Sequence, residues 1–233
     1  MAHGLATSFT LMAVTISLAL TGPWVTAAYA AEGAAIIGVG LRSSRLFFRC
    51  AGALLLAFAA MRLVSLQFGR TAVSFMPLVN SRMLTGAFIV ALLYAVAAAY
   101  KRHTAIALDE RRRAITLGVV AANILTVALL TADADSFWAA RLNQLTADFS
   151  RQLTISVIWG VYAMGAIWFG FARQSKTLRY FGLALFGLTI LKMFTVDLLE
   201  LDGIYRISGF IAVGLVLLSA SFLYQRHRAS IAR

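Results

Sequence analysis

Residues 46–66 read LFFRCAGALLLAFAAMRLVSL, and within this run only Arg49 and Arg62 are charged. A helix that crosses the hydrocarbon core of a bilayer needs about 20 mostly apolar residues. Its backbone N–H and C=O groups must bond within the helix, because the core holds no water. This stretch therefore predicts a membrane-spanning helix.

Seven further runs of the same kind surround this stretch. They are predicted at 5–20, 24–41, 83–100, 114–131, 153–171, 180–198 and 204–223. Of the 233 residues, 61% are hydrophobic and 13% are charged, whereas soluble domains contain about 45–50% and about 25%. The sequence predicts an all-α polytopic bundle of about eight spans, and it excludes soluble, disordered and disulfide-linked classes of protein.

The charges of the chain indicate how it crosses the membrane. The net charge is +12, and the cations cluster between the apolar runs. With eight spans and a cytoplasmic N-terminus, 14 of the 21 Lys and Arg residues fall on the cytoplasmic side, and six of the nine acids fall outside. This asymmetry follows the positive-inside rule. We therefore expect both termini in the cytoplasm, the lipid bilayer as a partner, and no binding of nucleic acid.

Two segments allow more than one interpretation. Ala28-Tyr29-Ala30 fits the cleavage site of a signal peptide, but the preceding residues carry no Lys or Arg and the apolar run continues to Leu41. In the external segment 133–151, Trp138 and Leu145 belong to an apolar pattern of helical period. This pattern predicts an amphipathic helix in the outer interface, and the alternative is a small external cap packed on the bundle.

A shift of 130 residues aligns positions of like character along the chain. The aligned pairs are Gly40 with Gly170, Arg49 with Arg179, Gly52 with Gly182, and Arg62 with Lys192. This internal repeat predicts two four-helix halves, residues 1–105 and 106–233. Since four is even, the halves would share one orientation and be related by an axis along the membrane normal.

Glu32 is the most distinctive charge within a predicted span. A charged side chain at the bilayer centre costs roughly 2.5–3.5 kcal/mol on insertion scales, so it invites a functional hypothesis. Small residues flank Glu32, and Arg62 lies one turn from the outer end of the next helix. The functional interpretation is a proton or ion relay. The structural alternative is a buried pair of Glu32 and Arg62 that fixes the helix register.

A second polar cluster lies around the turn between the last two predicted spans. Its members are Lys192, Asp197, Glu200, Asp202, Tyr205 and Arg206. The functional interpretation is an external site for a headgroup, a sugar or a cation. The structural alternative is a capped turn, with Asp202 at the start of a helix and Lys192 paired with Asp197 or extended toward the interface.

Other chemistry has little support in the sequence. Cys50 is the single cysteine, and the three histidines show no spacing that would bind a metal, so we expect neither a metal site nor a cofactor. No phosphate-binding glycine loop, nucleophile elbow or HExxH motif occurs. The basic run 109–113 is interpreted as a topology anchor, with binding of anionic lipid as the alternative.

The segments around Leu153–Trp159, Leu191–Asp197 and Gly203–Ile207 resemble the closing part of a family of bacterial predicted membrane proteins, domain of unknown function 2339. The helix pairs of that family are also similar to residues 22–33 and to Arg49-x-x-Gly52. The resemblance implies a bacterial inner membrane and favours Lys192, Asp197, Tyr205 and Arg206 as site residues. Members are typically longer, so the expected partner is another membrane protein or a missing N-terminal portion.

These observations favour a non-enzymatic multi-pass protein that acts as a scaffold or as a subunit of an envelope complex. The first alternative is a transporter or lipid-handling protein with a pathway between the two halves. The second alternative is a membrane transferase that acts on a lipid-linked substrate at the outer face.

Overall fold

The computed structural model describes residues 22–67, 80–139 and 144–197, together with isolated residues 15, 211, 214, 215, 218, 219 and 221. In these parts of the chain the fold is all-α, as predicted. The helices are α1 (Pro23–Arg42), α2 (Leu46–Gln67), α3 (Ser81–Arg102), α4 (Leu108–Ala139), α5 (Gln144–Ala172) and α6 (Lys176–Lys192), and a π-helical turn, Met193–Asp197, follows α6.

Each of these six helices contains a stretch that is long and apolar enough to cross a membrane. The six central predicted runs are therefore confirmed as candidate spans. The first and last predicted runs, 5–20 and 204–223, lie outside the continuously described residues. Large apolar side chains such as Leu54 and Trp168 face outward, as expected for helices in contact with lipid.

The helix ends follow from local chemistry. Pro23 begins α1, where its missing N–H costs no hydrogen bond. Asn80 caps α3, because its side-chain oxygen accepts a hydrogen bond from the Met83 N–H at 2.7 Å. Within the spans, hydroxyls such as that of Thr126 donate to the carbonyl four residues earlier. Polar side chains can therefore lie in apolar helices without an unsatisfied donor.

The chain divides into two compact units between Arg141 and Leu142. The first unit contains α1 to α4, and its core includes Leu63 and Ile89, which are almost completely buried. The second unit contains α5 and α6 among the described residues. Helix α4 thus packs with the first unit. The predicted repeat halves, 1–105 and 106–233, remain a prediction, since both terminal segments lie outside the described residues.

Helices α1 and α2 form a closely packed hairpin. A Cβ atom added at Gly52 would lie 2.6 Å from the Gly33 carbonyl oxygen and 2.8 Å from the Ile37 nitrogen. Only glycine lets two backbones approach this closely, as is common at helix interfaces in membranes. The connection is a tight turn in which Ser44 adopts a left-handed φ of 54°.

Helices α5 and α6 of the second unit also form a closely packed hairpin. A Cβ atom at Gly182 would lie 2.7 Å from the Ile167 Cγ1 atom and 3.0 Å from the Ala163 carbonyl oxygen. In the connecting turn, Gln174 adopts a φ of 53°. Ser175 follows and caps α6, since its hydroxyl accepts from the Leu178 N–H.

The predicted separate interfacial helix at 133–151 is wrong. Residues 133–139 continue α4, and residues 144–151 already belong to α5. The apolar period correctly indicated helical structure, but the described residues of this segment belong to the end of one long helix and the beginning of another. Asp133 contacts the beginning of α3, because its carboxylate accepts a hydrogen bond of 2.8 Å from the Asn80 side chain.

Candidate functional site

Glu32 lies in the middle of α1 and is buried, with 1% of its surface exposed. Neither of its carboxylate oxygens has a hydrogen-bond partner in the part of the chain that the structure describes. A buried carboxylate without a partner is costly. Glu32 is therefore a polar group that the packing of the described helices does not satisfy.

Arg62 does not bond to Glu32. Its Nη1 atom instead donates to the Thr26 hydroxyl on α1, at 3.2 Å. Thr26 and Glu32 are six residues apart, so they lie about 120° apart around the axis of α1. Arg62 therefore contacts α1 through Thr26, and the predicted direct pair with Glu32 is not formed among the described residues.

Lys192 at the end of α6 makes a similar contact. Its Nζ atom donates to the Ser156 hydroxyl at 2.9 Å and to the Gln152 carbonyl oxygen at 3.5 Å, both on α5. Of the predicted cluster around it, Asp197 ends the π-helical turn. The other members, Glu200, Asp202, Tyr205 and Arg206, lie outside the described residues, so their convergence remains a prediction.

A charged contact in the first unit joins Arg49 on α2 to Glu110 on α4. The Arg49 Nε atom lies 3.1 Å from one carboxylate oxygen, and Nη2 donates to the other at 3.2 Å. This is an ion pair between a buried guanidinium and a partly buried carboxylate, and it contains one hydrogen bond, since Nε itself makes none. It connects the beginnings of two helices that are distant in sequence. Sequence reasoning placed Glu110 only in a basic anchor segment and missed this contact.

The two hairpins share several contacts at an offset of 130 residues. The matching features are the left-handed residues Ser44 and Gln174, the glycines Gly40 and Gly170 against the stems of Arg49 and Arg179, the glycines Gly52 and Gly182, and the donor–hydroxyl pairs Arg62–Thr26 and Lys192–Ser156. In both hairpins a long cation near the end of the second helix donates to a hydroxyl of the first helix. The sequence signal was the pattern of aligned glycines and cations, whereas the hydroxyls were overlooked.

Neither metal-binding side chains nor the single cysteine form a site among the described residues. No group of three or more His, Cys, Asp or Glu side chains in these parts of the chain could hold a metal ion. Cys50 is a free thiol on an exposed position of α2.

Residues 61–227 match the profile of the family described as Predicted membrane protein (DUF2339). The chain belongs to this family. The match covers the predicted cluster from Lys192 to Arg206 but begins after Glu32. The resemblance of residues 22–33 therefore lies outside the matched region. No curated protein and no solved structure matches the chain.

Proposed function

We propose that this DUF2339 membrane protein is a non-enzymatic scaffold or subunit of an envelope complex, built on two copies of one helical hairpin. The observation that carries this proposal is the set of matching contacts at an offset of 130 residues. Repeated units that stack through small residues are a common way to build extended helical arrays.

The contacts that the polar groups of the spans make between helices support a structural role. Arg62 and Lys192 each hold the two helices of a hairpin together, and Arg49 holds α2 to α4 through Glu110. These cations are therefore committed to helix–helix contacts. An enzyme would need several such groups to converge on one open cleft.

The proposal is tested on the full chain in native membranes, solubilised in a mild detergent. We expect it to migrate in native electrophoresis as an assembly larger than one chain. Gly182→Ala disturbs the α5–α6 crossing and should lower the share of assembly, whereas Gly187→Ala, at a position with open space around it, should not. A stable, solitary monomer with an intact helical spectrum would contradict the proposal.

Glu32 favours a second candidate, a transporter that moves protons. A buried carboxylate without a partner among the described residues can take up and release a proton as its surroundings change. The full chain in liposomes that hold a pH-sensitive dye should then show proton flux under an imposed potential. Glu32→Gln should abolish the flux, and Asp109→Asn, an exposed acid, should preserve it. Equal flux in wild type and Glu32→Gln would exclude this candidate.

The transferase hypothesis rests on Asp197, Glu200 and Asp202. The side chains of these residues fall outside the described part of the chain, so the hypothesis remains a prediction from sequence. The same holds for a lipid-handling pathway between two halves.

We further propose that the chain lies in a bacterial cytoplasmic membrane with both termini inside. The distribution of 14 of 21 cations supports this orientation. Single cysteines test it in a Cys50→Ser background, with Ser44→Cys and Gln174→Cys in two hairpin turns and Ala139→Cys at the opposite end of α4. An impermeant maleimide should label only Ala139→Cys in intact cells, and the reverse pattern would contradict the orientation.

A further inference from the structure

Among the described residues, Arg179 near the start of α6 has no carboxylate partner like that of its counterpart Arg49. It is half-buried, and its guanidinium lies 5.0 Å from the centre of the Phe171 ring. It has no carboxylate partner among the described residues, whereas the Arg49 guanidinium contacts both carboxylate oxygens of Glu110. The comparison rests on the proposed equivalence of the two hairpins.

The two arginines leave their helices in closely similar surroundings. A Cβ atom at Gly40 would lie 2.8 Å from the Arg49 Cγ atom, and one at Gly170 would lie 2.7 Å from the Arg179 Cγ atom. Each stem therefore packs directly on a glycine of the preceding helix. In the first hairpin this arrangement presents the guanidinium to an oxyanion held by two contacts.

The chain offers few acids that could fill the same place at Arg179. With the proposed orientation, Asp109 and Glu110 are the acids at the cytoplasmic ends of the helices, and Glu110 is already bound to Arg49. Arg173 and Lys176 stand exposed beside Arg179 and add two positive charges. No carboxylate of the described residues contacts Arg179, which leaves this position open to an oxyanion from outside the chain.

We propose that Arg179 binds the phosphate of an anionic lipid headgroup where the α5–α6 hairpin meets the membrane surface. A phosphate presents paired oxygens that suit the planar donors of a guanidinium, and at Arg49 the Glu110 carboxylate occupies the corresponding place through an ion pair with one hydrogen bond. The Arg179 guanidinium lies near the turn of the hairpin, 5.0 Å from the centre of the Phe171 ring. A lipid beside the hairpin would bring its phosphate to the same depth in the membrane. The negative charge of the cytoplasmic leaflet raises its local concentration.

The test uses the full chain, delipidated in a neutral detergent and titrated with short-chain phosphatidylglycerol, phosphatidylcholine or inorganic phosphate. Native mass spectrometry measures the bound molecules. We expect phosphatidylglycerol to bind at least severalfold more tightly than phosphatidylcholine. Arg179→Gln should weaken it by about tenfold, the scale of a lost charged hydrogen bond. Arg179→Lys keeps the charge and should recover only part of the affinity. Arg173→Gln, an exposed cation of the same turn, should have an effect of less than about twofold.

Three results would overturn the inference. Equal losses in Arg179→Gln and Arg173→Gln would indicate diffuse attraction by surface charge. Inorganic phosphate that competes at the same concentration as the lipid would indicate a site for free anions. Phosphatidylglycerol that is displaced when native protein partners are retained would show that an acidic segment of another protein binds here in place of lipid. That result would assign the position to a protein carboxylate. If lipid binding fails this test while the native assembly is intact, the scaffold proposal still holds, because lipid binding and assembly size are measured independently.

Discussion

Gly52 determines how closely α1 and α2 can pack, and Gly52→Ala should drive them apart. The added Cβ atom would lie 2.6 Å from the Gly33 carbonyl oxygen and 2.8 Å from the Ile37 nitrogen. An ordinary contact of a Cβ atom begins at 3.4 Å, so the backbones must separate locally by about 0.8 Å, the difference between 3.4 and 2.6 Å. Both obstructing atoms belong to the backbone, so no side-chain rotation can relieve the contact.

The expected cost follows from two opposing effects. Overpacking of this kind costs typically 1–3 kcal/mol. Replacing a helical glycine by alanine returns up to about 1 kcal/mol, because the unfolded chain loses freedom. The net destabilisation should therefore be about 0–2 kcal/mol, and about 1–3 kcal/mol relative to a glycine-to-alanine change without a clash. Gly38 lies on the same hairpin and has nothing within 4 Å of an added Cβ atom, so Gly38→Ala should be neutral or stabilising by up to about 1 kcal/mol.

The free energies of unfolding can be measured by titrating the full chain in mixed micelles with sodium dodecyl sulfate while following its helical circular dichroism. The two variants differ by one methyl group each, so composition and detergent binding are matched. Gly182→Ala provides a parallel case with a smaller expected loss, since its shortest contact, 2.7 Å, is to the movable Ile167 Cγ1 atom. If Gly52→Ala and Gly38→Ala unfold at the same denaturant concentration, the close α1–α2 crossing described above is refuted.

Three further variants probe the polar contacts by the same unfolding assay. Thr26→Val removes the acceptor of the Arg62 guanidinium and should cost about 0.5–1.5 kcal/mol of stability. Thr126→Val should cost less, because the Thr126 hydroxyl bonds within its own helix. Equal losses would argue against the contact between helices. A double-mutant cycle of Arg49→Gln and Glu110→Gln should give a coupling of about 1–2 kcal/mol, and strict additivity would mean that the pair contributes nothing. Glu32→Gln should stabilise the protein or leave it unchanged, because it removes a buried ionisable group without breaking a described hydrogen bond; a large loss of stability would show that the carboxylate is bound after all.

Six membrane helices among the described residues could be located from the sequence, although α4 and α5 extend beyond the predicted runs. In a bilayer the requirement that each span satisfy its own backbone makes apolar length a strong signal. The run at 46–66 therefore agrees with α2 to within one residue. The same reasoning failed at 133–151, because amphipathic periodicity reports a helix but does not report where that helix begins. Only the structure shows that residues 133–139 belong to α4 and residues 144–151 to α5.

Which polar groups meet could not be predicted from spacing along the chain. The prediction joined Glu32 to Arg62 because opposite charges attract and both lie in neighbouring spans. It ignored the rotation between Thr26 and Glu32 around α1, which places the hydroxyl toward α2. The contact between Arg49 and Glu110 spans 61 residues and depends on how α2 and α4 pack. Neither fact is contained in the local sequence.

The polar groups within the helices fall into two physical classes, and this division indicates where function is best sought. Arg62 and Lys192 lie near helix ends, where a long side chain can place its charge toward the interface while its nitrogen still bonds a hydroxyl of the adjacent helix. Such groups stabilise a hairpin at modest cost and need no ligand. Glu32 is short, lies mid-helix and is buried, so it can neither extend toward water nor reach the Arg62 guanidinium. Packing therefore accounts for the cations but not for this carboxylate, and among the described residues Glu32 is the position where a functional experiment has the most to decide.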